Sequence, residues 1–376
     1  MINNRFVTIF DRAKNFHLVK DVGQIPYHMH KEHGYDSTIV TCKNDDTYSF
    51  LDNEVKGLKI KFIPKIKFFK INLGVIFYLI KNAKKIDILQ QFHIRNYTII
   101  YAIVYKIFNK NGINYIKADA NEKYLVDRGR VIKKKYVNII SKYVDYLSFE
   151  TKEITKLFKE QNNTLVNKVI TIPNGVDEKY VKLLNLKNSC LEKENTIIYV
   201  ARVGSYQKNT ELFLDIIEKV NLKDWKVFII GEIENEFKLK IDFFFQNNEQ
   251  LVEKVIFLGN ISSREEIYKY YAKSKVFCLT SRYEGFPLVF PEAIYFGNYI
   301  ITTDVSGAND ITNNEQFGVI VRNPTSENYA QILNNLITSE KLDNSFCKDI
   351  KTFAIENFTW QSIIKKLNRK LGKNDD

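Results

Sequence analysis

Read for its apolar and polar positions, the chain is a long alternation of two patterns. Short apolar runs rich in β-branched and aromatic residues recur at 5–10, 37–42, 58–64, 87–93, 113–119, 146–150 and 168–173. They resume at 195–201, 226–231, 254–259, 275–280, 299–303 and 318–321. Between them, apolar residues three and four apart predict helices over 20–33, 72–84, 98–109, 130–144 and 151–160, then 210–220 and 264–272. In the helix from Thr210, residues Leu212, Phe213, Ile216, Ile217 and Val220 share one face. Strand–helix alternation of this kind predicts parallel βαβ units wound on both faces of a sheet. Ligands of such sheets bind beyond the carboxyl ends of the strands. The loops after Phe10, His93, Asp119, Ala201 and Thr280 are therefore where chemistry is expected.

The loop after strand 275–280 is the most informative. It reads Ser281-Arg-Tyr-Glu-Gly-Phe-Pro-Leu-Val-Phe-Pro-Glu-Ala293 and leads into a helix that stops at Gly297. Glu284 and Glu292 stand eight apart. Gly285 lets backbone approach a ligand, and Pro287 and Pro291 suit a helix's first turn. A strand, a glycine loop and a helix start bind anions through unpaired N–H groups. Carboxylates beside them accept hydrogen bonds from hydroxyls, as on a ribose or a sugar. Taken singly, Glu284 reads equally well as a solvated loop acid and Glu292 as a favourable first-turn acid. After strand 195–201 come Arg202 and, six residues on, Lys208, two cations facing a helix start. That arrangement suits a diphosphate, although isolated residues of this kind are more often plain surface charges.

A length of 376 residues with 45% hydrophobic and 27% charged positions describes a globular chain of two domains. No apolar run reaches the roughly 18–20 residues of a membrane span, and the N-terminus reads as a first strand without a leader pattern. Cys42, Cys190, Cys278 and Cys347 are scattered, which predicts free thiols in a reducing cytoplasm, with neither disulfide nor zinc. Charge is lopsided. Residues 1–190 carry 33 Lys and Arg against 18 Asp and Glu, a net of +15; residues 191–376 carry 23 against 26, a net of −3. Within the basic half, 56–70 holds six lysines and no acid, interleaved with Ile, Phe and Leu. Arg128, Arg130 and Lys133 to Lys135 add to it. An anionic membrane surface is the partner this pattern suits; no nucleic-acid module is present. The same run reads alternatively as a lysine-edged solvated strand.

Elsewhere in the first half, His28, His30 and His33 share a predicted helix. Their spacings of two and three, without a carboxylate partner, suit packed or solvated side chains better than a metal site. His93 ends a strand, and Asp119 follows another, as a hydroxyl-binding group or a helix N-cap. Ile172-Pro-Asn-Gly-Val-Asp177 closes the half with a tight-turn signal before a polar linker.

Together, the Glu284/Glu292 spacing, the Val200-Ala-Arg-Val-Gly-Ser-Tyr-Gln-Lys208 unit and Ile172–Asp177 resemble family 4 of the retaining glycosyltransferases, the "glycosyl transferases group 1". The resemblance implies the GT-B fold: two Rossmann-like doubly wound α/β domains facing a central cleft, with a last helix crossing back to the first domain. The expected domains are 1–185 with 357–372, anchored by Trp360, and 195–356. The implied activity moves a sugar from a nucleotide-sugar donor, UDP- or GDP-linked, to a glycan or lipid-linked saccharide in cell-surface polysaccharide synthesis. Transfer would retain anomeric configuration through an oxocarbenium-like state. By the same resemblance, Arg202 and Lys208 would neutralise the leaving diphosphate, aided by backbone N–H groups of Gly285, Phe286, Pro287 and Leu288 wherever these exist. Glu292 would take the ribose hydroxyls and Glu284 those of the sugar. Gly23 would let the first loop approach donor and acceptor. No metal is implied, because cations and a helix end stand in its place. Two departures are visible: Lys208 is followed by Asn209 where the family has glycine, and the Asp119 stretch lacks the family's histidine, leaving Asp119 as its substitute. The protein would be cytoplasmic and peripheral on the inner membrane face. A non-catalytic partner subunit and a sugar-nucleotide epimerase remain the rival readings.

Overall fold

The computed structural model describes residues 4–120, 134–184, 186, 190, 193–339 and 342–372. Arg128, Arg130 and Lys133, part of the expected basic surface, lie outside the described residues. The chain divides into two compact units: Met1–Gly175 with Trp360–Asp376, and Val176–Thr359. The first division falls inside the Ile172–Asp177 turn, between Gly175 and Val176.

The first unit is built on a seven-stranded parallel sheet. Its strands are β1 Arg5–Ile9, β2 Asp36–Thr41, β3 Lys59–Phe62, β6 Ile88–Phe92, β7 Ile113–Lys117, β8 Tyr146–Phe149 and β9 Val169–Thr171, in the order β3-β2-β1-β6-β7-β8-β9. The strands β4 Lys67–Phe68 and β5 Ile71–Asn72 form a separate small hairpin. Central strands are buried end to end, as in Ile88–Phe92, which is why they read as continuous apolar runs. At the edge, Lys59–Phe62 is almost wholly exposed. The run 56–70 is thus an edge strand followed by a hairpin rather than one long strand. The last helix, Trp360–Lys370, is strongly amphipathic. Trp360, Ile363, Ile364 and Leu367 form one stripe that packs with Ile25 and Met29 of the helix Asp21–His33. Tyr35 donates a hydrogen bond to Asn368 at 3.0 Å, fixing the helix's register.

The second unit carries a six-stranded parallel sheet: β10 Glu194–Val200, β11 Lys226–Ile230, β12 Val255–Gly259, β13 Ser274–Leu279, β14 Tyr299–Thr303 and β15 Gly318–Val321. Their order is β12-β11-β10-β13-β14-β15. One continuous apolar core fills both faces. Both units therefore have the expected parallel α/β architecture. Among the described residues, no helix is long and apolar enough to cross a membrane.

Two expectations are corrected. Cys190 and Cys347 form a disulfide, with Cα atoms 5.5 Å apart. They lie 157 residues apart in the chain, so no local spacing announces the pair; Cys42 and Cys278 are buried free thiols. His28 also has a carboxylate neighbour after all. Glu32, one helical turn on, lies 3.7 Å from its Nδ1.

Candidate functional site

In the second unit the strand order reverses direction between β10 and β13, which are hydrogen-bonded neighbours. A crevice at such a switch point is where doubly wound sheets take ligands. The loops leaving these two strands are laced together. Arg282 donates its backbone N–H to the Gln207 carbonyl at 2.8 Å. The Thr280 hydroxyl donates to the carbonyls of Lys208 and Asn209 at 3.1 and 3.0 Å, and the Tyr199 hydroxyl to that of Lys208 at 2.9 Å. Asn209 sits at φ 54°, just before the helix Thr210–Glu218. Asparagine tolerates this left-handed turn where the resembling family uses glycine.

Within that lacing, Glu284 is buried and fully engaged. Its carboxylate accepts from Lys208 Nζ at 2.5 Å, Ser281 Oγ at 2.7 Å and Gln207 Nε2 at 3.1 Å. The Lys208 side chain is one-fifth exposed, so the pair lies near the surface rather than deep in the core. Arg202 leaves the same strand end but is 62% exposed and pairs with Glu234 at 3.2 Å. Phe286 is buried and stacks on Phe358 with ring centroids 5.8 Å apart. Its side chain belongs to the core, leaving only backbone for a ligand. The Pro287 carbonyl accepts from Phe290 N–H and starts the helix Val289–Tyr295. Seven residues sum few peptide dipoles, so local N–H groups rather than a long helix end would provide anion attraction here.

Glu292 lies in that helix. Tyr271 donates to its Oε2 at a long 3.4 Å. Burial raises the Glu292 carboxyl to about 7, while Arg264 and the Tyr271 bond pull the other way. A carboxylate with so little local satisfaction is set up to accept donors from a ligand.

The first unit has a second constellation, also at carboxyl strand ends. Lys117, the last residue of β7, is buried. Its ammonium donates to Asp21 at 2.8 Å, Glu150 at 2.7 Å and Asn174 at 3.2 Å. Asn174 in turn donates to Glu150 at 3.0 Å. Burial alone would lower the Lys117 pKa, but Asp21 and Glu150 outweigh it and hold the ammonium well above its usual range. Asp21, Asp119 and Glu150 bring carboxylate oxygens within 4.8 Å of one another, and the lysine supplies the cation among them. Burial pushes Glu150 upward, against the pull of Lys117. Asp119 also reaches His93 Nδ1 at 3.3 Å. His93 follows β6 with φ 60°, a conformation uncommon for a residue with a side chain.

The structure thus brings together Lys208 with Glu284, and Asp119 with His93. It leaves Arg202 on Glu234, and Glu292 on Tyr271. The close approach that Gly23 permits is internal, since an added Cβ would lie 2.1 Å from the Leu18 carbonyl oxygen. Sequence reasoning missed Asp21, Lys117 and Glu150. The one available signal was a lysine and a glutamate ending strands that are otherwise apolar.

Two parallel doubly wound units, with the chain's last helix packed into the first, are the architecture of the GT-B class of α/β proteins. A glycosyltransferase structure from Rickettsia africae superposes with a TM-score of 0.73 at 14% identity, covering 99% of this chain and all of that one. Residues 183–353 match the family described as Glycosyl transferases group 1. The chain is 33% identical to the amylovoran biosynthesis glycosyltransferase AmsD of Erwinia amylovora over 42% of each chain. It is 27% identical to the UDP-Gal:alpha-D-GlcNAc-diphosphoundecaprenol alpha-1,3-galactosyltransferase of Escherichia coli over 63% of this chain and 64% of that one. The chain spans about half the length of the curated relatives it matches.

Proposed function

We propose that this protein is a retaining glycosyltransferase that moves a sugar from a nucleotide-sugar donor, UDP- or GDP-linked, to a glycan or lipid-linked saccharide in cell-surface polysaccharide synthesis. The observation that carries the reading is the Lys208–Glu284 pair at the β10/β13 switch point, held by two loops that bond each other. Its relatives named above support the reaction class. The name of the Escherichia coli relative supports a UDP-linked donor and a diphosphoundecaprenol-linked acceptor.

In this reading the donor's diphosphate meets Lys208, and Arg202 turns to it from Glu234. Exposed ion pairs of this sort contribute about 0–1 kcal/mol, so exchanging one carboxylate for a diphosphate costs little. Backbone N–H groups of the 285–288 turn add donors. Glu284, fixed by Ser281 and Gln207, orients the sugar hydroxyls, and Glu292 accepts from the ribose. Two cations balance the leaving diphosphate, and no metal is required of the protein. Asp119, with His93 beside it, receives a hydroxyl in the first unit. Transfer is front-face through an oxocarbenium-like state, with charge stabilised by groups already in position. The protein works at the cytoplasmic face of the membrane.

A panel of nucleotide sugars scored by thermal stabilisation tests the donor, since a ligand that binds only the folded state raises its melting point. One UDP- or GDP-linked sugar should stand out, in chelator as well as without. A flat response across the panel contradicts the proposal.

A further inference from the structure

The hairpin β4–β5 and the helix behind it carry a surface for which neither the fold nor the donor site has a use. From Lys56 to Lys85 the chain has nine lysines and no acid. All nine are exposed, and Lys59 bonds Asp36. Among them stand Phe62, Ile66, Phe68, Phe69, Phe77 and Ile80, all exposed large apolar residues. Phe69, at the hairpin tip, is 88% exposed and has φ 53°. Apolar side chains on a folded surface are normal singly; six exposed ones in one lysine-rich segment without an acid of its own mark an interaction site.

The tip is displayed by a rigid support. Asn72 accepts from the N–H groups of Ile66 and Gly74 at 3.2 and 3.0 Å, and its own N–H donates to Tyr101 at 2.9 Å. The Leu73 N–H donates to the Ile66 carbonyl at 2.8 Å. A Cβ on Gly74 would lie 2.1 Å from the Pro64 carbonyl oxygen, so glycine is what lets the two segments close. With its base clamped, the hairpin holds Phe68 and Phe69 edge to face at 4.9 Å and away from the core.

We propose that this hairpin is a membrane-docking wedge for anionic lipid. Phe68 and Phe69 enter the headgroup–acyl boundary, Phe77 and Ile80 follow from the helix Leu73–Asn82, and Lys61, Lys65, Lys67 and Lys70 meet lipid phosphates. Charge decides the occupant. A surface of one sign with apolar residues between its charges matches an anionic bilayer, which attracts each lysine and accepts the aromatic rings. The inference deepens the lipid-linked-acceptor reading and rests on it for its purpose. All seven strands of the first sheet run parallel, so the loops after β3, β6 and β7 leave the same edge. The wedge, His93 and Asp119 therefore share one edge of one unit. A bilayer held by the wedge would present a lipid-linked saccharide to the edge where Asp119 waits.

The test is co-sedimentation of the full chain with vesicles of phosphatidylcholine alone and of phosphatidylcholine mixed with phosphatidylglycerol. Binding should require phosphatidylglycerol and fall with salt, as exposed charges are screened over about 10 Å at 0.1 M. Replacing Lys61, Lys65, Lys67 and Lys70 with Gln should weaken it by roughly a hundredfold or more. Phe68→Ser with Phe69→Ser should weaken it roughly a hundredfold while leaving residual, salt-sensitive binding. Both variants alter exposed side chains and should melt like wild type. In Phe69→Trp the new indole's emission should shift to the blue only with phosphatidylglycerol present. Nucleotide-induced thermal stabilisation, read on the same samples, separates the two proposals. No sedimentation with intact nucleotide binding overturns the wedge alone. Sedimentation indifferent to the tip aromatics overturns it as well, as does concentration-dependent self-association in place of vesicle binding.

Discussion

The two units solve the same architectural problem with different interiors. The second packs one uninterrupted apolar core, and its ionic pair, Lys208–Glu284, sits at the rim with the lysine partly open. The first divides its core into four smaller clusters and buries a lysine among carboxylates. The contrast separates two uses of charge. A rim pair can exchange partners with a ligand. A group such as buried Lys117 and Glu150 with half-buried Asp21 shapes the strand ends and cannot lose its cation without stranding the rest.

That contrast predicts the largest effect in the first unit. Lys117→Ala leaves buried Glu150, with half-buried Asp21 beside it, without their cation and should cost about 3–5 kcal/mol of stability, read by denaturant unfolding. A loss under about 1 kcal/mol would show that the cluster is wetter and looser than its geometry indicates. Lys208→Ala should do the reverse. Its fold should survive, while turnover falls about 10²–10³-fold through lost stabilisation of the leaving group. If Lys208→Ala unfolded as readily as Lys117→Ala, the distinction between rim and interior would fail.

Glu292 gives an intermediate effect. Glu292→Ala should weaken nucleotide binding by about 1.5–3 kcal/mol for a lost charged hydrogen bond, measured by calorimetry. Its pH dependence has a definite sign. The folded carboxyl is raised to about 7, chiefly by burial. The folded protein therefore holds a proton that the unfolded chain releases near its ordinary, lower pKa. The stability this contributes is present below that ordinary value and is lost as pH rises toward 7. Ribose hydroxyls donate to the ionised form, so nucleotide affinity should rise with pH, by up to about tenfold per unit, and level off above 7. Glu292→Gln should flatten the profile. The smallest effect belongs to the surface: Glu234→Ala removes an exposed pair and should shift stability by about 0–1 kcal/mol, while freeing Arg202 for the donor.

How much of this was legible follows the same division. Strands and helices of both units were readable because buried parallel strands leave continuous apolar runs and amphipathic helices leave their own period. The residues proposed for the donor lie close together in the chain: Arg202 and Lys208 share one loop, and Glu284 and Glu292 stand eight apart across the next loop and its helix. The Lys117 cluster was not readable, because its members come from residues 21, 117, 119, 150 and 174 and meet only when four segments converge. Distance hid the Cys190–Cys347 bond in the same way. The lysine run was visible as composition, but whether it formed a strand or a hairpin depended on contacts such as Gly74 against Pro64. His28 shows a simpler oversight, since Glu32 stood at helical spacing in plain sequence.

The central claim is that the β10/β13 edge of the second unit receives a nucleotide sugar and acts on its diphosphate. Radiolabelled-donor turnover by wild type and by folded Lys208→Ala, using the donor that best stabilises the protein, addresses it most directly. The account predicts release of nucleotide and free or transferred sugar by wild type, with a loss of about two to three orders of magnitude in the variant. Equal turnover by the two proteins, or an isomerised nucleotide sugar as the product, would contradict it.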